Sequence, residues 1–266
     1  MAESSSNQGN TMEVYSRESL IIKPRTTVMD KKELTLLIES AVDFESTKRN
    51  GIDVLPYIGT KDLDCYFEML HGPTYRELVK DFWIRAEVYD RDVAELEERQ
   101  KVAKNSRLKG NTREEMGLPE FKEVEVRLAV KEIRVTITKE MLAKSARCTN
   151  YGMFEINVKK DSHWMEKVYK TLYEGRPTYK TCDMKNEQRV LRKLILERFM
   201  PKDGDTNYRS RDHNLFLHFL IHNYMIDFPK YMFNYLCWSI KESINKKRNR
   251  FLMEGFCLRS FTKKDC

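Results

Sequence analysis

Tyr75-Arg76-Glu77-Leu78-Val79-Lys80-Asp81-Phe82-Trp83-Ile84-Arg85-Ala86 is the stretch whose pattern decides the fold class. Tyr75, Leu78, Val79, Phe82, Trp83 and Ala86 fall at i, i+3, i+4, i+7, i+8 and i+11, while Arg76, Glu77, Lys80, Asp81 and Arg85 fill the other positions. That is the period of an amphipathic helix with one buried stripe. Thr74 or Pro73 can start it, and Asp90 begins a different, strongly charged segment. From Arg91 to Leu108 the chain reads as a charged helix or a mobile insertion, since Val93, Leu96 and Val102 make only a thin apolar line.

On the N-terminal side, Leu34, Leu36, Leu37, Ile38 and Val42 predict a short helix ending before Gly51. A second runs from about Thr60 to Leu70, with Gly72-Pro73 as its stop signal. Residues 1–28 are rich in Ser, Asn, Gln and Thr and carry too little apolar surface to offset the entropy of ordering, so they read as a disordered leader.

On the C-terminal side the period changes after Gly117. Val124, Val126, Leu128 and Val130 alternate with polar or small residues, and so do Ile133, Val135 and Ile137, which predicts a β-hairpin. Its link has no glycine for a tight primed turn, so a longer or bulged turn is expected. Thr138 is placed to cap the following helix, which Met141 to Cys148 supplies, with Glu140 in its first turn. Further helices are expected at about 163–174, 186–199, 212–225 and 229–249. The predicted fold is mostly α with one small β-hairpin (α+β), a single compact helical domain over roughly residues 30–250.

Composition limits the function classes. The 266 residues allow one large domain or two small ones, and 41% hydrophobic residues suffice for a core. Six cysteines, at 65, 148, 182, 237, 257 and 266, form no Cys-x-x-Cys pair and no disulfide framework. The N-terminus lacks the apolar stretch of a secretory signal, so a soluble intracellular protein with reduced thiols is expected, in nucleus or cytoplasm. The richest apolar run, Leu215 to Ile240, is interrupted by Asp227, Pro229 and Lys230, and predicts a buried helical pair rather than a membrane span.

Few residues are arranged for chemistry. His213, His218 and His222 lie close together, and the last two have the i, i+4 spacing that can put two metal ligands on one helix face. Only Phe219, Leu220 and Ile221 stand between them, so the glutamate of a His-Glu-x-x-His site is missing and packing at a helix surface is the preferred reading. Asp62, Asp64, Asp81, Asp90 and Asp92 lie in helical or charged segments, not at the strand ends where a two-metal polynucleotidyl transferase would hold its ions. No phosphate-binding glycine loop, dinucleotide fingerprint or Gly-x-Ser-x-Gly occurs, and no cofactor is expected. The basic run Lys246-Lys247-Arg248-Asn249-Arg250 is the best nucleic-acid candidate, through Lys246, Lys247, Arg248 and Arg250. Cations at a helix C-terminus are also stabilised by the helix dipole, which needs no ligand. Residues 241–266 hold eight basic residues against three acids, so +5 of the formal +7 is concentrated there.

Gly72-Pro73-Thr74-Tyr75 followed by Leu78 through Asp90 resembles the plant transposon protein family abundant in legume genomes. Arg113-Glu114-Glu115-Met116-Gly117-Leu118, Val135-Thr136-Ile137-Thr138, Arg147-Cys148-Thr149-Asn150, Phe216-Leu217-His218-Phe219-Leu220, Pro229-Lys230-Tyr231 and Lys241-Glu242-Ser243 agree in order, so the likeness spans about residues 60–250. Members also carry the label envelope-like proteins of plant retroelements. The resemblance implies mobile-element ancestry and brings no reaction or catalytic residue with it. An envelope-like role would call for a membrane span or signal that the chain does not display. Where relatives continue Pro-Tyr-Gly-Arg-Leu-Leu-Ser-Glu-Ile-Phe-His-Gln, this chain has Phe251 to Lys263, which can be encoded so that a frame shifted by two bases spells the family segment. Residues 251–266 are therefore read as an out-of-frame tail, a reading that the gene's nucleotide sequence tests directly. The function expected is that of a non-catalytic protein working through protein–protein or weak nucleic-acid contact, self-association included. The alternative is a metal-dependent enzyme of transposon DNA processing.

Overall fold

A computed structural model describes residues 34–37, 41–58, 63–130, 133–153, 163–174, 180–198, 211–246 and 250–252. The 1–28 leader and most of the 251–266 tail lie outside these residues. In chain order the elements are β1 (Thr35–Leu37), α1 (Phe44–Arg49), α2 (Leu55–Ile58), α3 (Asp64–Met69), α4 (Arg76–Arg85), β2 (Glu87–Tyr89), α5 (Arg91–Lys104), β3 (Glu125–Val130), β4 (Ile133–Ile137) and α6 (Lys139–Ala146). Then follow α7 (His163–Leu172), α8 (Asn186–Arg198), α9 (Arg211–Ile221), α10 (Phe228–Lys246) and β5 (Arg250–Leu252). The architecture is mostly helical with a small antiparallel sheet, as the periodicities predict.

The diagnostic stretch is α4. Val79, Phe82 and Trp83 are buried on its inner face, which lies against β3, and Ala86 is buried where the helix ends. Tyr75 departs from the expected stripe. It is the N-cap, with φ −95° and ψ 77°, so its side chain leaves the helical path and is 46% exposed. At Ala86 the backbone turns extended (ψ 134°) and runs straight into β2.

That strand makes the sheet three-stranded, in the order β2-β3-β4. β2 pairs antiparallel with β3, Val88 opposite Val126, while the predicted hairpin pairs Leu128 with Val135 and Val126 with Ile137. Its register runs to Val130 opposite Ile133, so two residues link the strands where a longer turn was expected. Those two, 131 and 132, lie outside the described residues. Val126, Leu128 and Ile137 face the core. Thr138 caps α6 as predicted, its hydroxyl accepting from the Met141 N–H at 3.3 Å.

One N-terminal expectation is corrected. Where a helix was expected from Leu34 onward, Thr35–Leu37 is a strand, paired in parallel with Arg250–Leu252, Leu36 opposite Phe251, and 38–40 lie outside the described residues. Leu34 and Leu36 are spaced by two, a strand period that the denser Leu36-Leu37-Ile38 run obscured. The helix comes later, α1, because Asp43 accepts from the Ser46 N–H at 2.9 Å and fixes its start. Of the two readings of the segment after Asp90, the charged helix is the one found, over Arg91–Lys104, and its apolar line faces out: Val93 and Leu96 are exposed and Ala94 is the buried contact.

The C-terminal helices supply much of the core. Residues 213–220 of α9 are all buried, between α7 on one side and α8 on the other. α10 packs against α6 and β2. Its start is fixed by Asp227, whose carboxylate accepts from the Lys230 N–H at 3.0 Å, and Pro229 sits in the first turn where no N–H is needed. Phe216 meets Tyr231 and Phe228, and Phe228 meets Tyr66, joining both halves in one aromatic core. Each such fully buried ring contributes about 2–3 kcal/mol.

Candidate functional site

Of the histidines named from the sequence, His218 and His222 meet on α7. Thr171 stands between His218 and His222, its Oγ1 2.8 Å from His218 Nδ1 and 2.8 Å from His222 Nε2, with the two imidazole centroids 4.4 Å apart. The hydroxyl also donates to the Lys167 carbonyl at 3.0 Å. A hydroxyl has one proton and two lone pairs. With its proton on the carbonyl, both imidazoles must donate to it, which assigns the Nδ1–H tautomer to His218 and Nε2–H to His222.

Around this pair Trp164, Phe219 and Tyr224 close an aromatic wall. His218 is 2% exposed and its Nε2 has no hydrogen-bond partner. Burial, followed by the nearby His222 and Lys167, pushes its pKa down to about 4, so the ring is neutral at physiological pH. His218 Nδ1 and His222 Nε2 are engaged by Thr171, and among the described residues no three His, Cys, Asp or Glu side chains gather around a common point. His213 is on the same helix and buried.

A second polar centre was not foreseen. Arg113, inside one of the quoted motifs, uses all five guanidinium N–H groups. Nε donates to the Pro119 carbonyl (2.8 Å), Nη1 to the Ala94 carbonyl (2.7 Å) and Glu98 (2.8 Å), and Nη2 to the Tyr89 hydroxyl (2.6 Å) and Glu97 (3.0 Å). Tyr89 in turn donates to Glu97 at 2.6 Å. Burial and then the Glu97 contact raise the tyrosine pKa. The loop that presents Arg113 is built locally. Thr112 and Glu115 form a reciprocal capping box, and Gly117 closes the turn at φ +68°, a conformation that favours glycine. Beside it lies an open groove of about 770 Å³ lined by Arg91, Glu95, Glu98, Arg113 and Phe121.

Other candidate residues are distributed differently. Asp90 caps α5 through the Val93 N–H at 3.1 Å and pairs with Lys241 of α10. Burial opposes ionisation there, but the Lys241 and Val93 hydrogen bonds hold the carboxyl below its usual range. Asp81 and Asp92 lie on α4 and α5, Asp64 opens α3, and Asp62 is outside the described residues. Of the basic run, Lys246 ends α10 and Arg250 opens β5, while Lys247 and Arg248 lie outside the described residues. Cys65, Cys148, Cys182 and Cys237 are free thiols, and burial lifts Cys237 to about 12.

The outer face of α10 was also missed. Trp238 is 49% exposed, and the Tyr235 ring lies 5.9 Å away at 33°. The signal was present: Met232, Leu236 and Ile240 mark the buried stripe, and Asn234, Trp238 and Lys241 fall off it. An apolar run read only for total hydrophobicity hides that distinction. No described helix is long and apolar enough to cross a membrane. No family model, curated protein or solved structure matches the chain.

Proposed function

We propose that this chain is a non-catalytic binding or assembly protein of plant mobile-element ancestry. The observation that carries the reading is the half-exposed Trp238, on a helix whose other face is core, with the partly buried Tyr235 ring tilted beside it. Tryptophan is a characteristic anchor of binding surfaces. The residues quoted for the family likeness support a scaffold role: Tyr89 is bonded to Arg113, Asp90 to Lys241, and His218 to Thr171. Their polar groups are engaged inside the molecule, where they hold elements together.

Sedimentation velocity of the full chain, with and without oligonucleotides, tests this reading. Self-association or complex formation that Trp238→Ala weakens supports it, and a wild-type chain that stays monomeric and binds nothing refutes it. A metal-dependent DNA-processing enzyme is the alternative reading. Metal-stimulated nicking by the wild type that is lost in the His218→Ala/His222→Ala double variant would replace our reading with that one.

A further inference from the structure

We infer that the groove between α5 and the 112–121 loop docks an arginine-bearing peptide segment of a partner protein, a binding surface separate from Trp238 that goes beyond the reading above. The groove is open and measures about 770 Å³, within the range of about 300–1,000 Å³ usual for ligand sites. Both walls are fixed without an occupant. α5 supplies one, capped at Asp90, and the loop supplies the other, held by the Thr112–Glu115 capping box and by Arg113.

The lining has a sign. Besides Glu95, paired with Arg99, and Glu98, paired with Arg113, it presents Glu114 and Glu120, both exposed and in no ion pair among the described residues. Of the two cations in the lining, Arg113 has committed every N–H inside the fold. Two carboxylates therefore remain for an incoming cation, on a chain whose formal charge of +7 does not draw cations from a distance. The apolar part of the lining selects among cations. Phe121 and Leu118 are half-buried there, and the Arg91 guanidinium lies over the Phe121 ring, 5.3 Å from its centroid. That contact marks a ring face that accepts a planar cation beside carboxylates. Arginine can stack its plane on such a ring and present its fork to a carboxylate, whereas an ammonium lacks both the plane and the fork. The groove exceeds what one side chain fills, so a peptide segment matches it better than a free guanidinium compound. Nucleic acid would bring phosphates against Glu114 and Glu120.

Fluorescence anisotropy of a labelled octaarginine peptide titrated with the full chain tests the inference. Saturable binding that weakens with salt is expected, with octalysine bound at least ~3-fold more weakly. Glu114→Gln/Glu120→Gln should weaken octaarginine binding by roughly 3- to 20-fold, while Glu45→Gln/Glu174→Gln, the same charge change at exposed sites elsewhere, should stay within about 2-fold of wild type. Arg91→Ala should tighten binding by about 2- to 5-fold, because it uncovers the Phe121 ring and removes a cation from the lining. Equal weakening by both double variants, or octalysine bound as tightly as octaarginine, overturns the inference in favour of unspecific charge attraction. A wild-type chain that does not bind octaarginine overturns it as well. If binding is lost in Trp238→Ala but not in Glu114→Gln/Glu120→Gln, the groove is discarded and the Trp238 surface survives. Binding that follows the groove variants and ignores Trp238→Ala upholds the inference whatever becomes of that surface.

Discussion

Two polar knots hold this molecule together, and they use opposite electrostatics. Around Arg113 a charged guanidinium ties α5, β2 and the 112–119 loop through five hydrogen bonds, two of them to carboxylates about one-third exposed. Around Thr171 a neutral hydroxyl ties α7 to α9 through two imidazoles, one of them buried and uncharged. The difference follows from depth. Near the surface, charge retains part of its hydration and a guanidinium fork can be satisfied. At Thr171 the buried His218 would lose its hydration on taking a proton, and its ring stays neutral.

The largest expected effect lies where neither knot operates. Gly152 has φ +140°, and a Cβ there would stand 2.6 Å from the Asp227 N, a backbone atom that cannot give way. Gly152→Ala is expected to cost more than about 3 kcal/mol in urea unfolding, against which either knot can be scaled. Arg113→Ala should follow at about 3 kcal/mol, since it leaves acceptors on three segments unpaired, and Arg113→Lys should recover less than half because an ammonium lacks the fork. A full recovery by lysine would mean that charge alone, and not geometry, holds the loop.

The neutral knot should be distinguished by pH. His218 has a folded pKa of about 4, below the ordinary 6.5, so the folded state resists a proton that the unfolded chain accepts. Its contribution is full above pH 6.5 and is lost as pH falls toward 4, on the order of 2 kcal/mol. His218→Gln should flatten stability between pH 6.5 and 4.5. If Arg113→Ala flattens the same window instead, the contrast between the knots is wrong. Thr171→Val should cost about 1–2 kcal/mol by leaving two imidazole donors without their acceptor. Lys241→Ala, which removes a half-exposed ion pair, should cost about 0.5 kcal/mol and less at high salt.

What was legible in the sequence was local. The stripe of Val79, Phe82 and Trp83, the alternation of Val126, Leu128 and Ile137, the Thr138 cap and the interrupted Leu215–Ile240 run all read correctly because each is a pattern within a few neighbouring residues. Glu87–Tyr89 did not, since three residues contain no period and the strand exists through its pairing with Arg127, Val126 and Glu125. The same holds for Thr35–Leu37, whose partner stands more than two hundred residues away. Arg113 was quoted as part of a motif, but its role depends on Tyr89, Ala94, Glu97 and Glu98 arriving beside it. His218 and His222 were identified by spacing, and only α7 decided that a threonine would stand between them.

The sequence by itself determined most of the helices, the Thr138 cap, the hairpin and the placing of positive charge at one end of the chain, because these depend on side-chain periodicity and backbone preference. Tertiary structure alone decided that β2 completes a sheet and that Arg113 and Thr171 become knots. Those outcomes depend on which distant groups share a low-dielectric neighbourhood, and that is fixed only when the helices have packed.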